Sequence, residues 1–175
     1  MPHAPVSVRR LDRVDARCIE QLSDVLIDCV EGGASVGFML PLARERARSF
    51  WQRIGNDVAA GNRALLVAED DLGICGTVQL VLDQPDNGRH RADVAKMLVH
   101  RRARRRGLGA ALLRAAEDVA RSCKKRVLVL DTVTGSDAAR LYERLGWVRV
   151  GDIPNYALFP DGAFCSTTYF HRDLG

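Results

Sequence analysis

This sequence has no uninterrupted apolar stretch near the roughly 20 residues that a membrane-spanning helix needs, although 47% of its 175 residues are hydrophobic. Its opening, Met1-Pro2-His3-Ala4-Pro5, is not followed by the apolar core of a signal peptide, and charge arrives by Arg9 and Arg10. A cytoplasmic location without membrane attachment is therefore expected. The five cysteines, Cys18, Cys29, Cys75, Cys123 and Cys165, include no Cys-x-x-Cys pair, and their odd number fits free thiols better than a disulfide framework. The four histidines lack ligand spacing, so no metal is expected. No Gly-Lys-Ser/Thr triplet occurs, which removes a P-loop, and no aromatic residue lies between Arg89 and Arg140, which argues against base stacking by the most basic segment.

That segment holds the positive charge. Of 26 Lys and Arg, five fall in Arg101–Arg106; without them 21 basic residues face 22 acidic ones, so the net charge of +4 is one local patch. A patch of this size suits a compact anion better than a long nucleic-acid track. At this length one domain, residues 1–175, is expected.

Periodicity outlines the elements. Ile19, Leu22, Val25, Leu26 and Cys29 mark one face of a helix over about 12–30, and a second helix is expected over 41–60, with Pro41 in its first turn. Between them the glycine-rich 32–39 segment reads as a close-approach loop, with Ser35, Phe38 and Met39 the expected contacts for an acceptor molecule. Strands are expected at 64–69 and 74–82, joined as a hairpin, and then at 91–99 and 127–131. A helix follows Leu108, a short one spans 136–145, and late strands at 147–153 and 164–171 flank a turn-rich 155–162. The succession predicts an α/β (α+β) fold, a mixed sheet with helices on both faces.

The chemistry centres on Arg104-Arg105-Arg106-Gly107-Leu108-Gly109 between a strand and a helix. Glycines let the backbone approach a ligand closely, and the first amides of the helix point outward at the positive end of its dipole, a ready site for a diphosphate. A dinucleotide fingerprint would need a third glycine at position 112, where Leu112 stands.

This hexapeptide resembles motif A of the GNAT acetyltransferases, and Ala138-Ala139-Arg140-Leu141-Tyr142-Glu143-Arg144-Leu145-Gly146-Trp147, at the family's distance from it, resembles motif B. The family often has a proline where Arg101 stands and an asparagine near Gly135-Ser136; Ser136 then serves as helix cap or coenzyme contact. Within the family, Gly32–Met39, Arg91–Val99, Leu130-Asp131-Thr132 with Gly135-Ser136, and Val150–Tyr156 leading to Pro160-Asp161-Gly162 are similar to the tabtoxin resistance acetyltransferases.

The resemblance implies the GNAT fold, with a mostly antiparallel sheet of six to seven strands, and acetyl-CoA as cosubstrate. The diphosphate would rest on Arg104, Arg105, Arg106, Gly107, Leu108, Gly109 and Ala110, with Ser136 and Tyr142 beside the coenzyme. Backbone groups of Met97, Leu98 and Val99 would hold the pantetheine, one amide polarising the acetyl carbonyl. It implies transfer to a primary amine of a small amino-acid-like, toxin-like or antibiotic-like molecule by direct attack. A protein or peptide amine, or a coenzyme-binding sensor without catalysis, are the alternatives, and a homodimer through the late strands stays open. An ammonium acceptor must lose a proton, for which Asp93 and Asp131 are the candidates; Asp93, standing where the relatives have Glu, could instead pair with Arg91, and Asp131 could instead end its strand. Tyr142 is the candidate acid for the departing thiolate, unless it only packs its ring beside Leu141 and Leu145.

Overall fold

A computed structural model describes residues 6–175; Met1–Pro5, on which the location expectation partly rests, lie outside the described residues. Seven strands and four helices follow the order β1 (Ser7–Leu11), α1 (Ala16–Glu31), α2 (Arg44–Ala59), β2 (Arg63–Asp70), β3 (Gly73–Val81), β4 (Arg91–Val99), α3 (Leu108–Ser122), β5 (Val127–Val133), α4 (Asp137–Arg144), β6 (Val148–Leu158) and β7 (Phe164–Asp173). They form one sheet in the order β1-β2-β3-β4-β5-β7-β6. Every neighbouring pair is antiparallel except β4 and β5.

The β2 run shows why the sheet is buried on both sides. Its residues alternate between two cores, Ala64, Leu66 and Ala68 joining Leu112, Leu113, Leu128 and Phe170 beneath α3, while Leu65 and Val67 join Leu22, Leu26 and Trp51 beneath α1 and α2. Among the described residues no helix is long and apolar enough to cross a membrane.

Several boundaries differ from the periodic reading, β5 running on to Val133 past Asp131 among them, and three of the differences have a plain local reason. α1 starts later because Asp15 caps it, its carboxylate accepting from the Cys18 amide at 2.8 Å. Pro41 does not open α2: it follows Leu40 through a cis peptide, and the Leu40 amide donates to the Pro160 carbonyl at 3.1 Å, so this stretch is tied to the β6–β7 turn. β6 continues through Leu158 across a register shift between Ile153 and Ala157, where Asn155 takes φ 52°; as an edge strand it tolerates Pro154, which has no amide to donate.

The feature that positions the site is the parting of β4 and β5. Their parallel pairing covers only Arg91, Ala92 and Asp93 against Val127, Leu128 and Val129. Beyond it the strands diverge, β5 staying with β7 and β4 with β3, and a cleft of about 1140 Å³ opens between them.

Candidate active site

One end of the cleft is built for an anion. After β4 a 3₁₀ turn at Arg101–Ala103 leads to Arg104 in an extended conformation, Arg105 at φ 58° and Gly107 at φ 77°. Gly107 is the N-cap of α3 and offers no side-chain hydrogen bond, so the first amides of the helix face outward. Ala111 is the first residue whose amide turns back, to the Gly107 carbonyl at 3.1 Å. Gly109 serves a different purpose: a Cβ there would stand 2.9 Å from Leu141 Cδ2, so its absence leaves the Leu141 methyl its place beside the helix start. Leu108 roots the turn in the core at 5% exposure.

The arginines divide between two tasks. Arg101 grips Asp28 of α1 through its Nε, and its amide donates to Asp28 Oδ2 at 2.8 Å. Arg102 pairs with Asp70 and Arg106 approaches the same carboxylate at 3.7 Å. The Arg102 hydrogen bond is the main reason that the Asp70 carboxyl is held below its ordinary range. These contacts fasten the loop to α1 and the β2–β3 turn. Arg104, whose Nε donates to the Val99 carbonyl at 3.0 Å, and Arg105 line the cleft, whereas Arg106 is not among its lining residues. The loop therefore fits a diphosphate chiefly through backbone amides and two guanidinium groups, a donor set suited to oxyanions.

Along the cleft walls, Met97, Leu98 and Val99 line one side, on the stretch of β4 that has no β5 partner. Opposite them Ser136 caps α4, its hydroxyl accepting from the Ala139 amide at 3.1 Å. Tyr142 also lines the cleft, 4% exposed, with its ring 5.8 Å from both Trp147 and Phe170. Burial, and to a lesser degree the charge of Asp131, raises its phenol well above the ordinary value.

Asp131 stands on β5 just past the point where β4 leaves it, exposed to the cleft, with Thr167 Oγ1 donating to its Oδ2 at 3.0 Å. Asp93 lies on the same sheet face, since Ala92, Val94, Leu128 and Leu130 all turn to the α3 side. Its carboxylate is occupied at the rim, accepting from Gln84 Nε2 at 3.2 Å and pairing with Arg91 Nε at 3.6 Å, and it is not among the residues lining the cleft.

Of the three loop residues expected to meet an acceptor, Ser35 lines the cleft while its hydroxyl donates to the Leu158 carbonyl at 2.7 Å. Phe38 is buried instead, edge-on to Phe50 at 5.3 Å, and Met39 lies outside the lining. Two groups that sequence reasoning passed over do line it. Lys96 projects from an irregularity in β4, and Tyr156 bonds its hydroxyl to that of Tyr169 at 2.8 Å. Tyr169 is the cross-strand partner of Asp131, and the Tyr156 bond, followed by burial and the Asp131 charge, pushes its phenol up to about 12. Among the described residues no group of His, Cys, Asp and Glu could hold a metal ion.

A sequence model of the acetyltransferase (GNAT) domain matches residues 61–149, from β2 through α4 into β6, and includes the whole anion loop. An uncharacterized N-acetyltransferase of Azospirillum brasilense is 33% identical over 128 residues, 72% of this chain and 74% of the relative. The chain belongs to the GNAT acetyltransferase family. As a GNAT enzyme it is an N-acetyltransferase that uses acetyl-CoA, and its fold has solved counterparts. An N-acetyltransferase from Staphylococcus aureus Mu50 superposes with TM-score 0.80 at 16% identity, covering 98% of this chain and 100% of the other. A Salmonella typhimurium structure carrying its cofactor acetyl-CoA gives TM-score 0.79 at 20% identity, over 97% and 94% of the two chains. In this GNAT enzyme the anion loop, the stretch of β4 without a β5 partner and the capped start of α4 line one cleft.

Proposed function

We propose that this enzyme acetylates the primary amine of a small amino-acid-like or toxin-like molecule by direct attack while both substrates are bound, within the cytoplasm. The observation that carries the reading is the meeting of Asp131 and Tyr142 on one cleft whose far end is the anion loop.

Acetyl-CoA supplies an acyl carbon activated by a thioester. The Met97–Val99 backbone positions that group, and one of its amides stabilises charge on the carbonyl oxygen. Asp131, exposed at the acceptor end, takes a proton from the incoming ammonium directly or through water, leaving a nitrogen lone pair to form the C–N bond. Tyr142 donates its proton to the sulfur as the C–S bond breaks with its electron pair on sulfur. Tyr142 then recovers a proton from the acylated nitrogen, so one proton per turnover leaves through Asp131. Asp93, on the same sheet face, is paired with Arg91 and bonded by Gln84 outside the cleft lining, so the proton step is assigned to Asp131.

The test is an acetyl-CoA turnover screen over free amino acids, β-lactam dipeptides, polyamines, aminoglycosides and peptides. Activity on one of the small amines, lost by about 10²-fold in Asp131→Asn near neutral pH, is expected. Activity on peptides alone would replace the acceptor class, and coenzyme binding with no transfer to any amine would make the protein a sensor.

A further inference from the structure

The acceptor end of the cleft holds a cation that the proposed transfer does not use. Lys96 sits where the β3–β4 register shifts between Thr77 and Gln79, and its backbone takes φ 50°. The shift reverses the faces of β4: Ala92 and Val94 belong to the core beneath α3, Leu98 to the core beneath α1 and α2. Lys96 is thereby turned toward α2 and the 32–39 loop. Its Nζ lies 5.9 Å from the Phe50 ring centroid, and a Cβ on Gly37 would stand 3.7 Å from it, which places the ammonium beside the 32–39 loop.

Among the described residues Lys96 forms no ion pair or side-chain hydrogen bond, in contrast to Arg101, Arg102 and Arg104 nearby on the chain. Burial lowers its pKa from the ordinary value, Asp131 partly offsetting this. A half-buried cation with no paired carboxylate loses part of its hydration, and a bound anion lowers that cost. The coenzyme diphosphate is assigned to the loop that begins at Arg104, beside Gly32 and Val99, whereas Lys96 meets Gly37 and Phe50 further along the same cleft, so its anion is a second one. It lies instead on the acceptor side, where the cleft offers Lys96 on β4 and Asp131 on β5. One positive and one negative group in the same pocket complement a zwitterion.

We propose that Lys96 binds the carboxylate of the acceptor, so that this enzyme selects α-amino acids and close analogues carrying an amine and a carboxylate on one small molecule, with Asp131 at the amine. This rests on the acetyl-transfer reading and narrows its substrate class. Lys96 is then a specificity-determining residue, and an acceptor without the carboxylate leaves the ammonium uncompensated.

The experiment compares free α-amino acids with their carboxamides as acceptors, by kcat/KM, in the wild-type enzyme, Lys96→Met and Lys96→Arg. It is paired with calorimetric titration of the same compounds into the CoA-loaded proteins and a thermal melt of each variant. The wild type should favour the acid over the carboxamide by about 10- to 150-fold, the worth of one hydrogen bond to a charged group. Lys96→Met should erase that preference by losing the acid alone, with the melting temperature unchanged or raised, and Lys96→Arg should restore part of it. Equal use of acid and carboxamide by the wild type, or equal loss of both in Lys96→Met, would overturn the assignment. If no amine is acetylated, the transfer reading fails by itself, and calorimetry still decides the anchor: amino-acid binding lost in Lys96→Met sustains it, and wild-type indifference to amino acids overturns it.

Discussion

Tyr142 carries two measurable consequences of burial. Its ring is wedged against Trp147 and Phe170 while it lines the cleft, so its removal should affect chemistry more than coenzyme affinity. Tyr142→Phe is expected to reduce kcat by about 10²-fold or more, the usual worth of a positioned acid, with the CoA dissociation constant unchanged within about twofold. Equal losses in both would contradict its role as the acid. The second consequence concerns stability against pH. Tyr142 and Tyr169 both have folded-state pKa values raised above the unfolded 10.0, Tyr169 to about 12. Their contribution is fully present below about pH 10 and is lost as pH rises through the folded values, because the unfolded chain releases these protons first. Unfolding free energy should therefore decline from about pH 10 upward, and the decline should be shallower in Tyr142→Phe; identical slopes in chemical denaturation would contradict the burial account.

At the scale of elements, the turn between β4 and α3 is held in place by residues far away in the chain. Asp28 of α1 accepts from the Arg101 amide and side chain, so Asp28→Ala should release the loop, lowering stability by about 2 kcal/mol and weakening CoA binding. Gly107→Ala meets no neighbour within 4 Å and fails only through its φ of 77°; a cost of about 1–2 kcal/mol and weaker CoA binding are expected, measured by denaturation and calorimetry. The strand that leads into this turn was legible from its residues: β4 runs over the same Arg91–Val99 span that its pattern predicts, and α3 begins at Leu108 as expected. The direction of Lys96 was not legible, because alternation groups it with Val94 and Leu98, and the bulge that breaks the alternation depends on pairing with β3. The fates of Arg101 and Arg102 were hidden for a similar reason, their carboxylate partners being supplied by distant elements. Phe38 reads as a loop residue in the sequence, yet the Phe50 ring gives it a core site.

Across the whole molecule, two cores on opposite faces of one sheet hold the strands rigid, and the single parallel pair, kept for only three residues, opens the cleft between the halves. This division places the part of β4 without a β5 partner and the 32–39 loop with β1–β4, α1 and α2, and places Asp131, Tyr142 and the Tyr156–Tyr169 pair with β5–β7 and α4. The anion loop joins the two, and the account depends on its amides receiving the coenzyme diphosphate. Calorimetric titration of the folded protein with CoA, acetyl-CoA and pantetheine tests this most directly. Saturable binding of both coenzyme forms, with pantetheine bound far more weakly for want of the diphosphate, is the predicted result. A protein that ignores CoA and its acetyl thioester, or binds pantetheine equally well, would contradict it.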